Sequence, residues 1–225
     1  MGEYYNWVNV DRKEYISPCD FNFGDKSHES MHRRAEILRA LRELLSKEWK
    51  GCHVFWMGDE KLIPKDTENE TLQILYRHSV DFGYPENGFD TMCESYRNIS
   101  CFFKDAESFV REEIGYYVED VKSGRFDVPY NEYGIDLDHP FDGLFLREGR
   151  DFRYTINHSK KVCYSFNETK ILYQNGEEAE YSDPLPILMG YGRVLDDGAW
   201  MGDIIGVTDK IPDGYELMKK IILDW

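Results

Sequence analysis

Two short blocks of the chain recur in the same order with nearly equal gaps, and this limits the open folds more than any other feature. Val8-Asn9-Val10-Asp11-Arg12-Lys13 is matched by Ile156-Asn157-His158-Ser159-Lys160-Lys161, and Trp49-x-Gly51-x-x-Val54 by Trp200-x-Gly202-x-x-Ile205. A unit that reuses one hairpin and one Trp-Gly strand predicts an α+β fold made of two diverged copies of a strand-helix-strand unit, with mixed or antiparallel sheet. A cleft is expected where the copies meet. A second register exists, because Trp56-Met57-Gly58-Asp59 equals Trp200-Met201-Gly202-Asp203 letter for letter. The first is preferred, since it leaves an apolar strand after each Trp-Gly, whereas the second puts Glu60 and Lys61 there.

Local patterning fills in the units. Residues 5–17 alternate around a polar turn at Asp11 to Lys13 and predict a strand pair. From Ser27 to Lys47, Met31, Ala35, Leu38, Leu41 and Leu45 recur every three or four residues, which predicts a helix. The apolar run Cys52 to Met57, closed by Gly58 and Asp59, predicts a buried strand. Thr67 and Glu70 have capping-box spacing ahead of a helical face of Leu72, Leu75, Tyr76 and Val80, which Gly83 and Pro85 stop. Residues 83–104 are expected to be loop and short strand. Asp105 is the expected cap of a third helix carrying Val110, Ile114, Tyr117 and Val121 up to Gly124.

Glycine and proline punctuate residues 124–150 and predict a connector. The expected organisation is a first unit at 1–123 with inserted helices, the connector, and a second unit at 151–225, with one compact domain as the alternative. In the second unit, residues 152–166 read as paired strands, Gln174-Asn175-Gly176 as a hairpin turn and residues 200–208 as a strand. Asp213 is expected to cap a short closing helix with Tyr215, Leu217, Met218, Ile221 and Ile222 toward the core.

At 225 residues the chain can bury a core without covalent staples. With 16 Tyr, 13 Phe and 5 Trp, that core should be rich in rings. Acidic residues outnumber basic ones, 43 to 27, for a net charge of -16. Such a field repels phosphate backbones and anionic head groups, so neither nucleic acid nor a membrane surface is an expected partner. It attracts basic proteins, and it also keeps a protein soluble. The five cysteines form no Cys-x-x-Cys pair and are odd in number, which suits a reducing compartment and argues against thiolate zinc. With no leader-like N-terminus and no apolar run of spanning length, the cytoplasm is the expected address.

The repeated blocks also resemble those of small bacterial proteins that share a Tyr-x-x-Val-Asn-x-x-x-Lys-Lys hairpin, a helix, and Trp-x-Gly-Asp-x-Ile-x-x-x-Gly-Asp. The likeness runs through residues 4–59 and, more weakly, 152–209. The family has no established activity, so the resemblance implies no substrate. Cys52 stands where the first copy's pattern has Asp, and Asp209-Lys210 replaces the closing Gly-Asp of the second. If those acids serve a site, each copy here holds part of it.

Several constellations are candidates for chemistry. His28 and His32 have the four-residue spacing that lets two imidazoles on one helix face grip a metal, with Asp25 and Glu29 nearby, but the Glu and third ligand of a His-Glu-x-x-His enzyme are missing. Asp136, Asp138, His139 and Asp142 crowd one loop and offer oxygen ligands for a divalent cation or an acid/base pair, although turn chemistry explains Asp beside Pro and Gly without any site. No cofactor is otherwise expected. Asp59 and Asp203, attached to the Trp-Gly blocks, are the catalytic candidates if the copies face each other across a cleft. Cys19 is a thiol whose acidic surroundings disfavour a thiolate. Gly-x-Gly-x-x-Gly, Walker and Gly-x-Ser-x-Gly motifs are absent.

Two functional expectations follow. The first is an acidic binding protein, comparable to immunity proteins that neutralise bacterial toxins, whose Trp49, Trp56 and Trp200 help anchor a basic protein partner. The second is a hydrolase or metal-assisted enzyme that uses carboxylates between the copies.

Overall fold

The computed structural model describes residues 2–22, 24, 26, 29, 31–125, 131–193 and 197–223. The fold is α+β. In chain order, β1 is Tyr5–Asn9, β2 Glu14–Ile16, α1 Glu36–Ser46, β3 Val54–Gly58, α2 Glu70–Phe82, α3 Gly88–Ser95, β4 Arg97–Asn98 and α4 Glu107–Ser123. There follow β5 Tyr154–Asn157, β6 Val162–Tyr164, β7 Lys170–Tyr173, α5 Leu185–Met189, β8 Gly190–Tyr191, β9 Ile205–Thr208, β10 Glu216–Leu217 and β11 Lys220–Leu223. Three sheets result, ordered β4-β2-β1-β3-β8, β10-β6-β5-β9 and β11-β7.

The pairings around the two Asn-containing hairpins follow one pattern. In the first sheet Asn9 lies opposite Glu14 on one side and Val54 on the other, both antiparallel. In the second, Asn157 lies opposite Val162 and Ile205, also antiparallel. Lys13 and Lys161 both adopt left-handed backbone, at φ 53° and 55°, as the residue that leads into the second strand. Before the return strand, Gly51 and Gly202 have φ of 76° and 90°, the region where glycine is free of the Cβ clash. Trp200 precedes β9 as Trp49 precedes β3, whereas Trp56 lies inside β3.

One hydrophobic core joins residues of both halves, including Trp7, Leu41, Trp49, Trp56, Trp200 and Ile205. Packing is crossed: α1 lies against β9, while α5 lies against β3. A buried ion pair fastens the two, with Arg42 of α1 joined to Asp183, which also takes the Tyr164 phenol at 2.7 Å. Where the halves meet, core side chains pack against each other.

Several elements depart from the sequence expectation. The first helix begins at Glu36, since His32 makes an antiparallel bridge with Ser182 and Arg33 N–H bonds Tyr181 O at 2.9 Å, which holds this stretch extended. Residues 83–104 include a helix, α3, because the Asn87 side chain accepts from Asp90 N–H at 3.1 Å and caps it. The cap of α2 is Asn69, which accepts from Leu72 N–H, and Thr67 acts one step earlier by accepting from Asn69 N–H. Asp105 lies in a short 3-10 turn, and α4 starts without a side-chain cap. Val80 is exposed. The expected closing helix is two strands, β10 on β6 and β11 on β7, both parallel. Ile221 is buried and Ile222 exposed, a period of two that a strand accommodates and a helix does not.

Residues 131–150 have no helix or strand but pack closely. Asn98 N–H bonds Glu132 O at 2.7 Å, Phe145 N–H bonds Cys101 O at 2.9 Å, and Tyr133, Leu144 and Phe145 are buried. Gly149 lies so close to α1 that a Cβ there would come within 2.9 Å of the Ala40 backbone nitrogen.

Candidate functional site: an acidic, ring-lined groove on α4

Only Val110 and Ile114 of α4 are buried, so this helix turns most of its surface outward. Off that apolar stripe stand Phe109, Glu113, Tyr116, Tyr117 and Asp120, spaced to share one face. Two elements rise beside it. Pro18 opens a 3-10 turn over Pro18–Phe21 that Asn22 closes in left-handed conformation, and this turn buries Asp20. The turn at 131–134 is closed by Gly134 at φ 60°, and the Asn131 carboxamide clamps Ile135 through both its N–H and its C=O. That turn delivers Glu132 and Tyr133.

Between these elements lie two adjoining cavities that share Glu113, Glu132 and Tyr133. The inner one, of about 370 Å³, reaches Asn6, Tyr15, Asp20 and Phe109. The outer one, of about 300 Å³, runs past Tyr116 and Tyr117 to Asp120. Four carboxylates and five aromatic rings line them, and among the described residues no Lys, Arg or His does. Two arginines stand at the margin: Arg97 donates to Tyr133 O at 3.1 Å, and Arg125 pairs with Asp120 at 3.1 Å.

The acids of the inner cavity are bridged by neutral donors. Tyr15 donates its phenol to Glu132 at 2.6 Å. Asn98 Nδ2 and the Tyr133 phenol donate to Asp20 at 2.9 and 3.2 Å, and the Ser100 hydroxyl also bonds it. Burial pushes the Asp20 carboxyl up to about 6; its donors act against that rise, and the neighbouring Glu132 charge adds to it. Burial and then the Glu132 charge also raise the Tyr15 phenol. The Cys93 thiol on the same wall is pushed up to about 12, first by burial, so it carries no thiolate at neutral pH. The arrangement is a negative, partly desolvated recess bordered by aromatic rings.

Apart from Cys19, the residues singled out by sequence as candidates for chemistry or binding lie elsewhere. Asp59 sits at the end of β3, where its carboxylate accepts Tyr4 N–H at 3.0 Å. Asp203 accepts Asn157 Nδ2 at 2.7 Å and pairs with Lys160. Each is held by separate donors at its own strand end, and neither lines the groove. Trp49, Trp56 and Trp200 are 0%, 0% and 3% exposed; Trp49 Nε1 donates to Glu14, Trp56 stacks on Tyr5, and Trp200 packs on Tyr164. Their burial makes them core residues rather than surface anchors.

His28 lies outside the described residues. His32 is not helical: it stacks on Tyr181, and its Nδ1 accepts Arg34 N–H at 3.3 Å. Asp136 accepts Asp138 N–H at 2.9 Å and lies 3.5 Å from His139, a turn arrangement; Asp136, His139 and Asp142 border another cavity, while Asp138 does not. Among the described residues no group of three or more His, Cys, Asp or Glu side chains is arranged to hold a metal ion. Cys19 is an exposed cysteine on the rim of the inner cavity.

Sequence reasoning passed over Asn6, Glu113, Glu132 and the carboxylate of Asp20. One signal was present: Phe109, Tyr116 and their neighbours are aromatic residues off the buried stripe of a helix. No helix among the described residues is long and apolar enough to cross a membrane. Comparison with protein-family models, curated proteins and solved structures returned no match.

Proposed function

We propose that this protein is an acidic binding protein that engages a basic protein partner along the groove on α4, in the manner of toxin-neutralising immunity proteins. One observation carries the reading: four carboxylates and five rings line adjoining cavities that no described basic side chain enters. The net charge of -16 supplies the long-range attraction, and the groove supplies a place for it to act. The five cysteines, none in a disulfide, suit the reducing cytoplasm that belongs to this reading. The matched registers and turns around Asn9 and Asn157 support descent of the two hairpin units from one ancestor. Catalysis by Asp59 and Asp203 gains no support, since separate donors hold each carboxylate.

The test is capture by a tagged chain from lysate of its native host, at low and high salt, beside a variant carrying Glu113→Lys and Glu132→Lys. The expected result is a basic protein retained at low salt, released by high salt and missing from the variant, with circular dichroism showing the variant folded. Retention of nothing basic, or equal retention by a folded variant, contradicts the reading.

A further inference from the structure

Asn6 lies in β1, is 8% exposed, and lines the inner cavity. Among the described residues no hydrogen bond is made by its side-chain amide, which opens onto the cavity rather than being sealed in the core. A polar group at the wall of so narrow a recess has few water partners to spare, so its donor and acceptor favour an entering polar group. The bonds it lacks are available to whatever enters the cavity. Beside it, Glu132 takes only neutral phenol donors and Glu113 has no ion-pair partner among the described residues. The cavity thus presents an unpaired amide, two carboxylates without a cation, and the rings of Tyr15, Phe109 and Tyr133.

We infer that the inner cavity is the seat of one arginine side chain of the basic partner, held by Asn6, Glu113 and Glu132 against the ring of Phe109. The inference rests on the proposed function and names the group recognised. Arginine fits better than lysine for two reasons. Its planar fork offers five donors to acceptors spread around the recess, where an ammonium offers three from a point. Its weakly hydrated face also stacks on aromatic rings, where a strongly hydrated ammonium sheds water at greater cost. A polypeptide is favoured over a free amine because the groove continues into the outer cavity, from Phe109 to Asp120, about 16 Å along the helix.

The experiment uses the full chain and three capped tripeptides, acetyl-Gly-X-Gly-amide with X as arginine, lysine or citrulline, titrated at low salt by nuclear magnetic resonance. The arginine peptide is expected to bind in the millimolar range, about tenfold tighter than the lysine peptide, and the citrulline peptide not to saturate. Asn6→Ala and Glu132→Gln each weaken arginine binding about tenfold, while the exposed acid variant Asp105→Asn leaves it unchanged; thermal unfolding reports that all are folded. Citrulline binding as well as arginine, or folded Asn6→Ala and Glu132→Gln binding at full strength, overturns the arginine seat. If the arginine seat fails while the tagged chain still captures a basic protein that the Glu113→Lys, Glu132→Lys variant loses, the binding function stands without it. If no cationic peptide binds and no basic protein is captured, both fall.

Discussion

Asn9 and Asn157 occupy matching places at the ends of β1 and β5, yet only Asn157 donates its amide to a carboxylate. Each side-chain oxygen accepts the N–H three residues on, Arg12 at 3.1 Å and Lys160 at 2.9 Å. Asn157 Nδ2 then donates to Asp203 at 2.7 Å, whereas buried Asn9 Nδ2 faces only the weakly accepting Cys52 thiol among the described residues. Cys52 N–H bonds Trp49 O and Asp203 N–H bonds Trp200 O, so the thiol and the carboxylate stand at corresponding points of two turns.

Asp203→Ala therefore strands a buried amide and should cost roughly 1–3 kcal/mol in urea denaturation. Cys52→Ala removes no strong acceptor and should cost clearly less. Equal costs would mean that the Asn157–Asp203 bond adds nothing.

The buried pair of Arg42 and Asp183 fastens α1 to the segment entering α5. Asp183→Ala leaves Arg42, 2% exposed, without its partner, and should destabilise by about 3–5 kcal/mol. An unfolding midpoint close to wild type would show that water or Asp151 compensates.

Trp56→Ala opens the ring stack with Tyr5 and Trp7 in the core and should cost about 3–5 kcal/mol. Because the indole is buried, any loss of partner capture should follow the unfolded fraction and disappear under conditions where the variant is folded. Loss of capture by fully folded protein would return Trp56 to the interface.

Asp20 should leave a pH signature. Its carboxyl is raised from 3.8 to about 6 by burial. Below the lower value both states are protonated and nothing is lost. Between the two values the unfolded chain ionises first, so stability falls as pH rises, and above about 6 the full cost of about 3 kcal/mol is present. Relative to Asp20→Asn, wild type should lose stability from about pH 4 to pH 6.5 and then run parallel. A difference that stays flat over that range would place Asp20 at an ordinary carboxylate value.

The sequence carried the strand pairs around Asn9 and Asn157, the buried β3 and the helices bearing Leu41, Leu75 and Ile114, because each has local periodicity or a turn residue. It misread residues 31–35 because Arg33 and His32 bond across to Tyr181 and Ser182, partners that no local pattern reveals. It misread the C-terminal strands because Leu217, Met218, Ile221 and Ile222 also fit a helical stripe, and only pairing with β6 and β7 decides between the two. The groove was hidden for the same kind of reason: Asp20 and Glu132 are far apart in sequence and look like turn residues, and tertiary packing alone joins them through Tyr133 and Asn98. Trp49, Trp56 and Trp200 drew attention as rings, but a ring in or beside a buried strand is used by the core.

If the surface between α4 and the turn at 131–134 receives positive charge, hydrogen–deuterium exchange with and without a saturating arginine-rich peptide should show slowed exchange in residues 107–123, 131–135 and 17–22, reversed by salt, with the β7–β11 region unchanged. Protection confined to other segments, or none at saturation, would contradict it.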